Sequence, residues 1–511
     1  MNLLTPRQSP VQSKKENRQT HDLHCAATQD NMNSIWKETA SLPHFSPLSA
    51  HSPVDVAVIG GGLAGLLCAY QLQKAGLSVL VLEANRIGSG QTEGTTAKIT
   101  SQHGLFYDRL IRQAGYEAAS LYAEANEQAI DSYLTLIQEL QIACDFERLP
   151  SYLYTTRSPE LLIQEWRAAR RLGLPASLTT RTSLPFSVSL ALRFDHQAAF
   201  HPLRFLAALA SQLPVYENTE VLKVQGNRLI TSQGCLSARN IVFACHYPFV
   251  NFPGLFFLRM HQERSYCLAI KGAPAPDGLY YGIDKGALSL RGYKDAVILG
   301  GGGHRCGENP SGGRYALLRR AAEKNWPGCT PFAQWSAQDC MTPDHLPYIG
   351  RFSSRTPSWY VCTGFGKWGM TLSMVAAGLL TDIISCRSNP LEKLFSPHRS
   401  LSAPAVPTLA SEIGHAVKGL GRTVLPLFLP SPSSIKPGHG GIVRYHGKPA
   451  GLYRTPEGKC FLVQPRCPHL GCRLEWNPDE RSWDCPCHGS RFSYDGTLLS
   501  GPAQSSLSRL H

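Results

Sequence analysis

Two short loops near the C-terminus carry the residues best equipped for chemistry: Cys467-Pro-His469-Leu-Gly-Cys472 and Cys485-Pro-Cys487-His488-Gly-Ser490. Each supplies one thiolate and one imidazole, Cys467 with His469 and Cys485 with His488. Zinc is one reading of such a set. A closed structural zinc site usually takes its cysteines from one loop and its histidines from another, whereas here each loop mixes the two. Mixed loops suit a two-iron cluster whose thiolates hold one iron and whose imidazoles hold the other.

The words His-Leu-Gly-Cys and Cys-Pro-Cys-His-Gly-Ser resemble the Rieske domains of the respiratory and photosynthetic cytochrome bc complexes, over roughly residues 434–511. The resemblance implies that Cys467, His469, Cys485 and His488 ligate one Rieske 2Fe-2S cluster. It further implies that Cys472 and Cys487 form a disulfide and that Ser490 donates to a cluster sulfide. Closing a loop of about 15 residues contributes roughly 3 kcal/mol in the chain-entropy model; free thiols in a reducing cytoplasm are the alternative for that pair. Where the bc proteins carry a Tyr two residues after the Ser, this chain has Phe492, which packs but cannot donate. A bond lost to a charged acceptor is worth about 1.5–3 kcal/mol, so the expected potential lies on the order of 50–100 mV below the high-potential bc type.

At the other end of the chain, Val54 to Ile59 reads as a buried parallel strand, Gly60-x-Gly62-x-x-Gly65 as a turn, and Leu63 to Lys74 as a helix ended by Gly76. Val79 to Leu82 is a second strand, finishing at Glu83. In such a βαβ unit Gly60 permits the turn, Gly62 lets backbone approach a pyrophosphate at the helix N-terminus, Gly65 allows close packing, and Glu83 accepts from a ribose hydroxyl.

The continuation Glu83-Ala-Asn-Arg86-Ile-Gly88-Ser-Gly90, then Gly94-Thr-Thr96-Ala-Lys98-Ile-Thr-Ser-Gln-His103-Gly104, resembles the flavin-binding segment of the D-amino acid oxidase and glycine oxidase superfamily. A late block agrees: Thr342-Pro-Asp344-His-Leu-Pro-Tyr-Ile-Gly350, a strand from Trp359 to Cys362, then Thr363-Gly364-Phe-Gly366-Lys367-Trp368-Gly369-Met370 leading into an apolar helix to about Ile384. The resemblance implies non-covalent FAD, with Arg86, Thr96, Lys98, Asp344, Gly364, Gly366, Trp368, Gly369 and Met370 joining Gly60, Gly62, Gly65 and Glu83 at the cofactor. The late glycine loop lacks a following strand and acid, so it is no second nucleotide site and no NAD domain is expected. A helix N-terminus aimed at the pyrimidine edge of the flavin would raise its potential modestly.

The elements that must position these residues give an α/β fold: a Rossmann-like, glutathione-reductase-type FAD-binding domain over 34–386, with an inserted α+β substrate region at about 105–340. Gly115 to Ile142 has the spacing of a long helix, and Phe200 to Arg204 opens another. Asn240 to Ala244 returns to the FAD layer as a strand, and Tyr266 to Ile270 and Ala287 to Arg291 belong to a sheet over the flavin face. Residues 387–433 form a Pro- and Ser-rich linker whose one helix, Leu409 to Leu425, sets Ile413, Val417, Leu420 and Val424 on one face. It reads as a packed strut, with peripheral membrane contact as the alternative. A small all-β Rieske domain at 434–511 completes the chain.

Composition is that of globular material: 511 residues, 43% hydrophobic and 17% charged. The net charge of +13 is not gathered into a nucleic-acid motif, so it is assigned to steering an anionic substrate or acidic redox partner. Residues 1–33 read as a polar, disordered extension with no apolar core and no twin-arginine pair, which points to a cytoplasmic protein without transmembrane segments.

The expected activity is oxidation of a small amine or amino acid, with hydride passing to the flavin and electrons passing singly through the cluster to an external acceptor. The alternatives are reversed flow from a donor protein and a non-catalytic electron-transfer adaptor. Arg291 is a candidate for holding a substrate carboxylate, and His103, His261, Tyr266, His304 and Lys367 are weak candidates for acid-base work. Cys340 stands near the position where some relatives attach flavin covalently, but at the wrong offset.

Overall fold

Val54–Ile59 and Val79–Leu82 are buried almost throughout, as all-parallel strands covered on both faces must be. In the computed structural model, which describes residues 33–49, 52–400, 414 and 429–510, they are neighbours in the first of two large sheets. That sheet runs Tyr348–Ser353, Thr356–Thr363, Gly234–Phe243, Val54–Ile59, Val79–Leu82, Val215–Tyr216, with the hairpin Val221–Gln225 and Arg228–Thr231 appended. The helix Leu63–Lys74 crosses between its first two strands and packs against the apolar helix Gly369–Ile384. Gly65 lets the helix lie this close to the turn after Val54–Ile59: a Cβ there would meet the Gly60 carbonyl oxygen at 1.9 Å.

The second sheet has nine strands and runs Thr330–Met341, His261–Lys271, Ala296–Arg305, Ser289–Tyr293, Leu279–Gly282, Glu147–Thr155, Leu190–Ala199, Lys98–Ile99, with Ala176–Thr179 at the side. The long helix covers Tyr116–Glu139 and the next predicted one Pro202–Ala210. The inserted region is therefore two segments, because residues 215–243 leave it to join the first sheet. Lys98–Ile99 also joins this sheet from the flavin-loop segment, through Ala198 and Ala199.

The C-terminal domain is built from two small antiparallel sheets. One holds Gly440–Tyr445, Lys448–Arg454 and Cys460–Val463; the other holds Glu475–Asn477, Ser482–Asp484, Arg491–Ser493 and Leu498–Ser500. Trp483 and Phe492 face each other across this second sheet, both fully buried. The N-terminal extension up to residue 32 and the linker helix expected at Leu409 to Leu425 lie outside the described residues. Among the described residues no helix is long and apolar enough to cross a membrane.

The C-terminal domain docks on the edge of the nine-stranded sheet through buried polar groups. Glu480 accepts from Tyr315 Oη at 2.6 Å and Ser336 Oγ at 2.7 Å, and pairs with Arg264 and Arg491. Burial would raise its carboxyl, yet Arg264 and Arg491 hold it down at about 2. Asp479 accepts from the backbone N–H groups of Gly313 and Arg314 at 3.0 and 3.1 Å, capping the helix Arg314–Asn325 from the other domain.

Candidate active site and metal centre

A cavity of about 1270 Å³ opens between the two large sheets. Its floor is the glycine turn. A Cβ on Gly60 would come 2.6 Å from the Ala244 carbonyl oxygen, at a φ of +114° that disfavours any side chain. Gly62 caps the helix Leu63–Lys74 without a side chain of its own; Thr92 Oγ1 accepts from the Leu63 N–H at 3.1 Å, and the remaining N–H groups of the first turn are left for an anion. Glu83 accepts from the backbone N–H groups of Gly61 at 2.7 Å and Asn85 at 2.9 Å, and burial raises its carboxyl. The residues present fit a flavin dinucleotide: an open helix end for pyrophosphate, and beside it a buried acid with lone pairs to spare for ribose hydroxyls.

Thr96, Lys98, Gly364, Gly366, Trp368, Gly369 and Met370 line the same cavity, together with Gly60, Gly62 and Glu83. Lys98 Nζ donates to the Tyr280 carbonyl at 2.6 Å and to Ser289 Oγ at 2.5 Å, and burial beside Arg291 brings its ammonium down to about 7. Arg86 and Asp344 do not reach the cavity, contrary to expectation. Arg86 pairs with buried Glu217 at 2.7 Å, and Asp344 takes both arms of Arg399 at 2.7 and 2.8 Å. Both motif charges are neutralised by remote partners instead of by a cofactor.

The acid-base candidates divide differently from expectation. Arg291 is no carboxylate holder: Nη1 donates to the carbonyls of Thr96 and Ala97 at 3.0 and 2.8 Å, Nε to Gly292, and the guanidinium stacks on Trp36. It braces the flavin loop from behind. His103 accepts from Tyr122 Oη at 2.6 Å and donates to the Thr100 carbonyl at 2.8 Å; burial pushes it down to about 3, and its ring stacks on Trp368. Tyr266 lines the cavity but its hydroxyl donates to His304 Nε2 at 3.0 Å and accepts from Asn477 Nδ2 at 3.2 Å, which ties the pair to the domain interface.

What faces the cavity is a cross-strand cluster. Glu263 and Asp339 are register partners on His261–Lys271 and Thr330–Met341, and Lys367 reaches Glu263 at 3.1 Å. The His261 ring, 3.8 Å away, and Lys367 draw Glu263 down to about 2, while burial raises Asp339 to about 7 against the pull of Lys367. Sequence reasoning picked out His261 and Lys367 but missed both carboxylates. Two apolar-rich segments with an acid each gave no sign that the acids would face one another.

On the other side of His246 lie the metal-type loops. Cys467, Cys485 and His488 are 2%, 1% and 3% exposed. Nδ1 of His469 and of His488 are buried without a hydrogen-bond partner among the described residues, and burial keeps both rings neutral, at about 4 and about 3. Hydrogen bonds from Cys485, the His469 backbone and Ser490 together bring the Cys467 thiol down to about 7, against the effect of burial. Three orphaned ring nitrogens, Nδ1 of His469 and both of His488, and two adjoining sulfurs in one largely buried pocket fit a two-iron cluster. The Sγ atoms of Cys472, Cys485 and Cys487 also lie within 4.8 Å of one another, but Cys472 and Cys487 are joined as a disulfide and are not donors.

Cavity and pocket are connected. His246, on the cavity wall, bonds through Nε2 to Gln262 Oε1 at 3.2 Å, and Gln262 Nε2 donates to the His488 carbonyl at 2.6 Å. Gln338 Nε2 donates to the Gly489 carbonyl at 2.7 Å, and a Cβ on Gly489 would strike Gln262 at 2.7 Å.

A dinucleotide cavity and a cluster pocket joined this way define a flavin enzyme carrying its own iron-sulfur centre. Residues 55–383 match the family described as FAD dependent oxidoreductase (DAO), and residues 427–511 match the Rieske [2Fe-2S] domain. The chain belongs to the DAO family of FAD-dependent oxidoreductases and ends in a Rieske domain, and its cofactors are FAD and one Rieske 2Fe-2S cluster. It is 37% identical to the Rieske 2Fe-2S iron-sulfur protein YhfW of Bacillus subtilis (strain 168) over 487 residues, 92% of this chain and 96% of that protein. It is 24% identical to the gamma-glutamylputrescine oxidoreductase of Escherichia coli (strain K12) over 381 residues, 66% of this chain and 85% of that protein. In fold it is similar to the glycine oxidase of Geobacillus kaustophilus, with a TM-score of 0.58 and 19% identity over 69% of this chain and 100% of that one.

Proposed function

We propose that this enzyme oxidises a small amine or amino acid and that its electrons leave singly, through the cluster, to an external one-electron acceptor. The observation that carries this reading is the bonded path from the cavity wall at His246 through Gln262 to the His488 main chain. When bound, FAD supplies the hydride acceptor and the cluster supplies one-electron exchange. Cys467 and Cys485 would hold one iron and Nδ1 of His469 and His488 the other, with the Cys472–Cys487 disulfide tying the loops together and Ser490 donating toward the sulfur side.

The chain's own groups supply the rest. Asp339, raised to about 7 by burial, is placed to take a proton from a substrate ammonium at the cavity wall. Glu263 and Lys367 hold a fixed ion pair beside it and so keep one carboxylate permanently charged and the other titratable. His103 and Trp368 stack to hold the cavity's aromatic side, and Arg291 fixes the carbonyls of Thr96 and Ala97. The amine class is supported by the names of two relatives in fold and sequence, a glycine oxidase and a gamma-glutamylputrescine oxidoreductase.

FAD is held without a covalent bond in this reading. The Cys340 thiol lies against His246 at 3.3 Å and is pushed well up by burial, so it is a poor nucleophile. Yellow colour remaining in an acid-precipitated pellet would contradict this. Anaerobic stopped-flow mixing with amines and amino acids tests the main proposal. Flavin bleaching before the cluster signal appears is the expected order; cluster reduction first would contradict the proposal and support reversed flow, and no reduction by any small molecule would contradict it and support an electron-transfer adaptor.

A further inference from the structure

We infer that the last loop of the Rieske domain, residues 498–506, is part of the FAD site and closes its adenosine end. Part of the wall of the large cavity belongs not to the flavin domain but to this loop. Glu83 marks the ribose end, and the segment beside it is fixed by the Thr219 N–H, which donates to the Glu83 carbonyl at 2.9 Å. Thr219, Glu220 and Val221 line the cavity there. Gln504 reaches across and donates through Nε2 to the carbonyls of Val221 and Leu222, at 3.4 and 3.3 Å. These are long bonds at the lip of a cavity, which a bound dinucleotide can shorten or replace.

The loop is held from its own side as well. Leu507 N–H donates to the Gly496 carbonyl at 2.8 Å, and Leu498 N–H to Ser506 Oγ at 3.1 Å, closing its neck. Ala503, 5% exposed, donates its N–H to Ser490 Oγ at 3.0 Å. One short stretch, Ala503-Gln504, therefore touches the serine beside the cluster sulfurs and the lip of the dinucleotide cavity. FAD is then held by both domains, and Gln504 is a positioning residue for a cofactor whose other contacts, from Gly60 to Met370, lie in the flavin domain.

The test uses full-length protein with its cluster intact and its flavin removed, titrated with FAD and separately with ADP. One neutral hydrogen bond is worth about 1 kcal/mol, so Gln504→Ala should weaken both ligands about three- to tenfold, with cluster absorbance unchanged. Glu480→Gln, which loosens the docked domain, should weaken both ligands as well, because the loop leaves the cavity with its domain. Unchanged affinity for both ligands in Gln504→Ala, or loss for FAD without loss for ADP, would each overturn the inference.

Discussion

The cluster pocket and the flavin cavity sit on either side of His246 and are built on opposite principles. The pocket is mostly closed and holds neutral groups: His488, Cys485 and Ser490 are at most 3% exposed and His469 is half-buried, and its imidazoles are pushed far below their ordinary range by burial, helped at His488 by repulsion from His469 and Arg305. The cavity is wide and charged, with Lys98, Glu263, Asp339 and Lys367 on its walls. Electrons need no open path for atoms, so an electron-transfer centre can be dry and sealed. A substrate must enter, shed a proton and leave, so its site keeps volume and titratable groups.

The sharpest way to break that contrast is to empty the pocket alone. Cys485→Ser should abolish the 2Fe-2S signal in electron paramagnetic resonance while bound FAD, read by absorbance, remains. Loss of both would mean that the two sites do not assemble independently.

In the cavity, Asp339→Asn should slow substrate-driven flavin reduction by about 10²–10⁴-fold. In the parent enzyme the rate should rise as pH passes upward through about 7, because Asp339 accepts a proton only when ionised, and the variant should lose that rise. A pH profile that survives the substitution removes Asp339 from the reaction.

Between the two sites, Glu480→Ala leaves Arg264 buried without its carboxylate and should cost about 3–5 kcal/mol, read in thermal unfolding of the full chain. The Glu480 carboxyl is held at about 2 against an ordinary 4.5, so its stabilisation is complete above about 4.5 and is lost as pH falls toward about 2. Domain docking, followed by hydrogen exchange at Tyr315 and Ser336, should fail over that interval. The smallest effect is expected at fully buried Phe492: Phe492→Tyr should raise the cluster potential on the order of 50–100 mV. A parent potential near +300 mV, the top of the Rieske range, would show that no donor is missing.

The cluster loops were legible because all their donors fall within 22 residues, on two turns joined by a short hairpin. The βαβ unit was legible for the same reason: strand, turn, helix and acid follow one another, and Val54–Ile59, Leu63–Lys74 and Val79–Leu82 form where the pattern placed them. Glu263 and Asp339 were not, because their meeting depends on the register of two strands more than sixty residues apart. Arg86, Asp344 and Arg291 misled for a related cause. A charged residue inside a motif is as free to satisfy Glu217, Arg399 or a pair of carbonyls as a cofactor, and only the tertiary fold decides which. The docking acid Glu480 sits in Pro-Asp-Glu-Arg, which reads as an ordinary surface turn.

The Glu480 network has a kinetic consequence. Two redox centres on separate proteins must meet by diffusion, and their exchange slows in proportion as either is diluted. Here the donor and the acceptor share a chain and a buried ion pair, so their encounter has already happened when the protein folds. Exchange between flavin and cluster should be first order and indifferent to protein concentration, and only a step to or from an outside partner should respond to dilution.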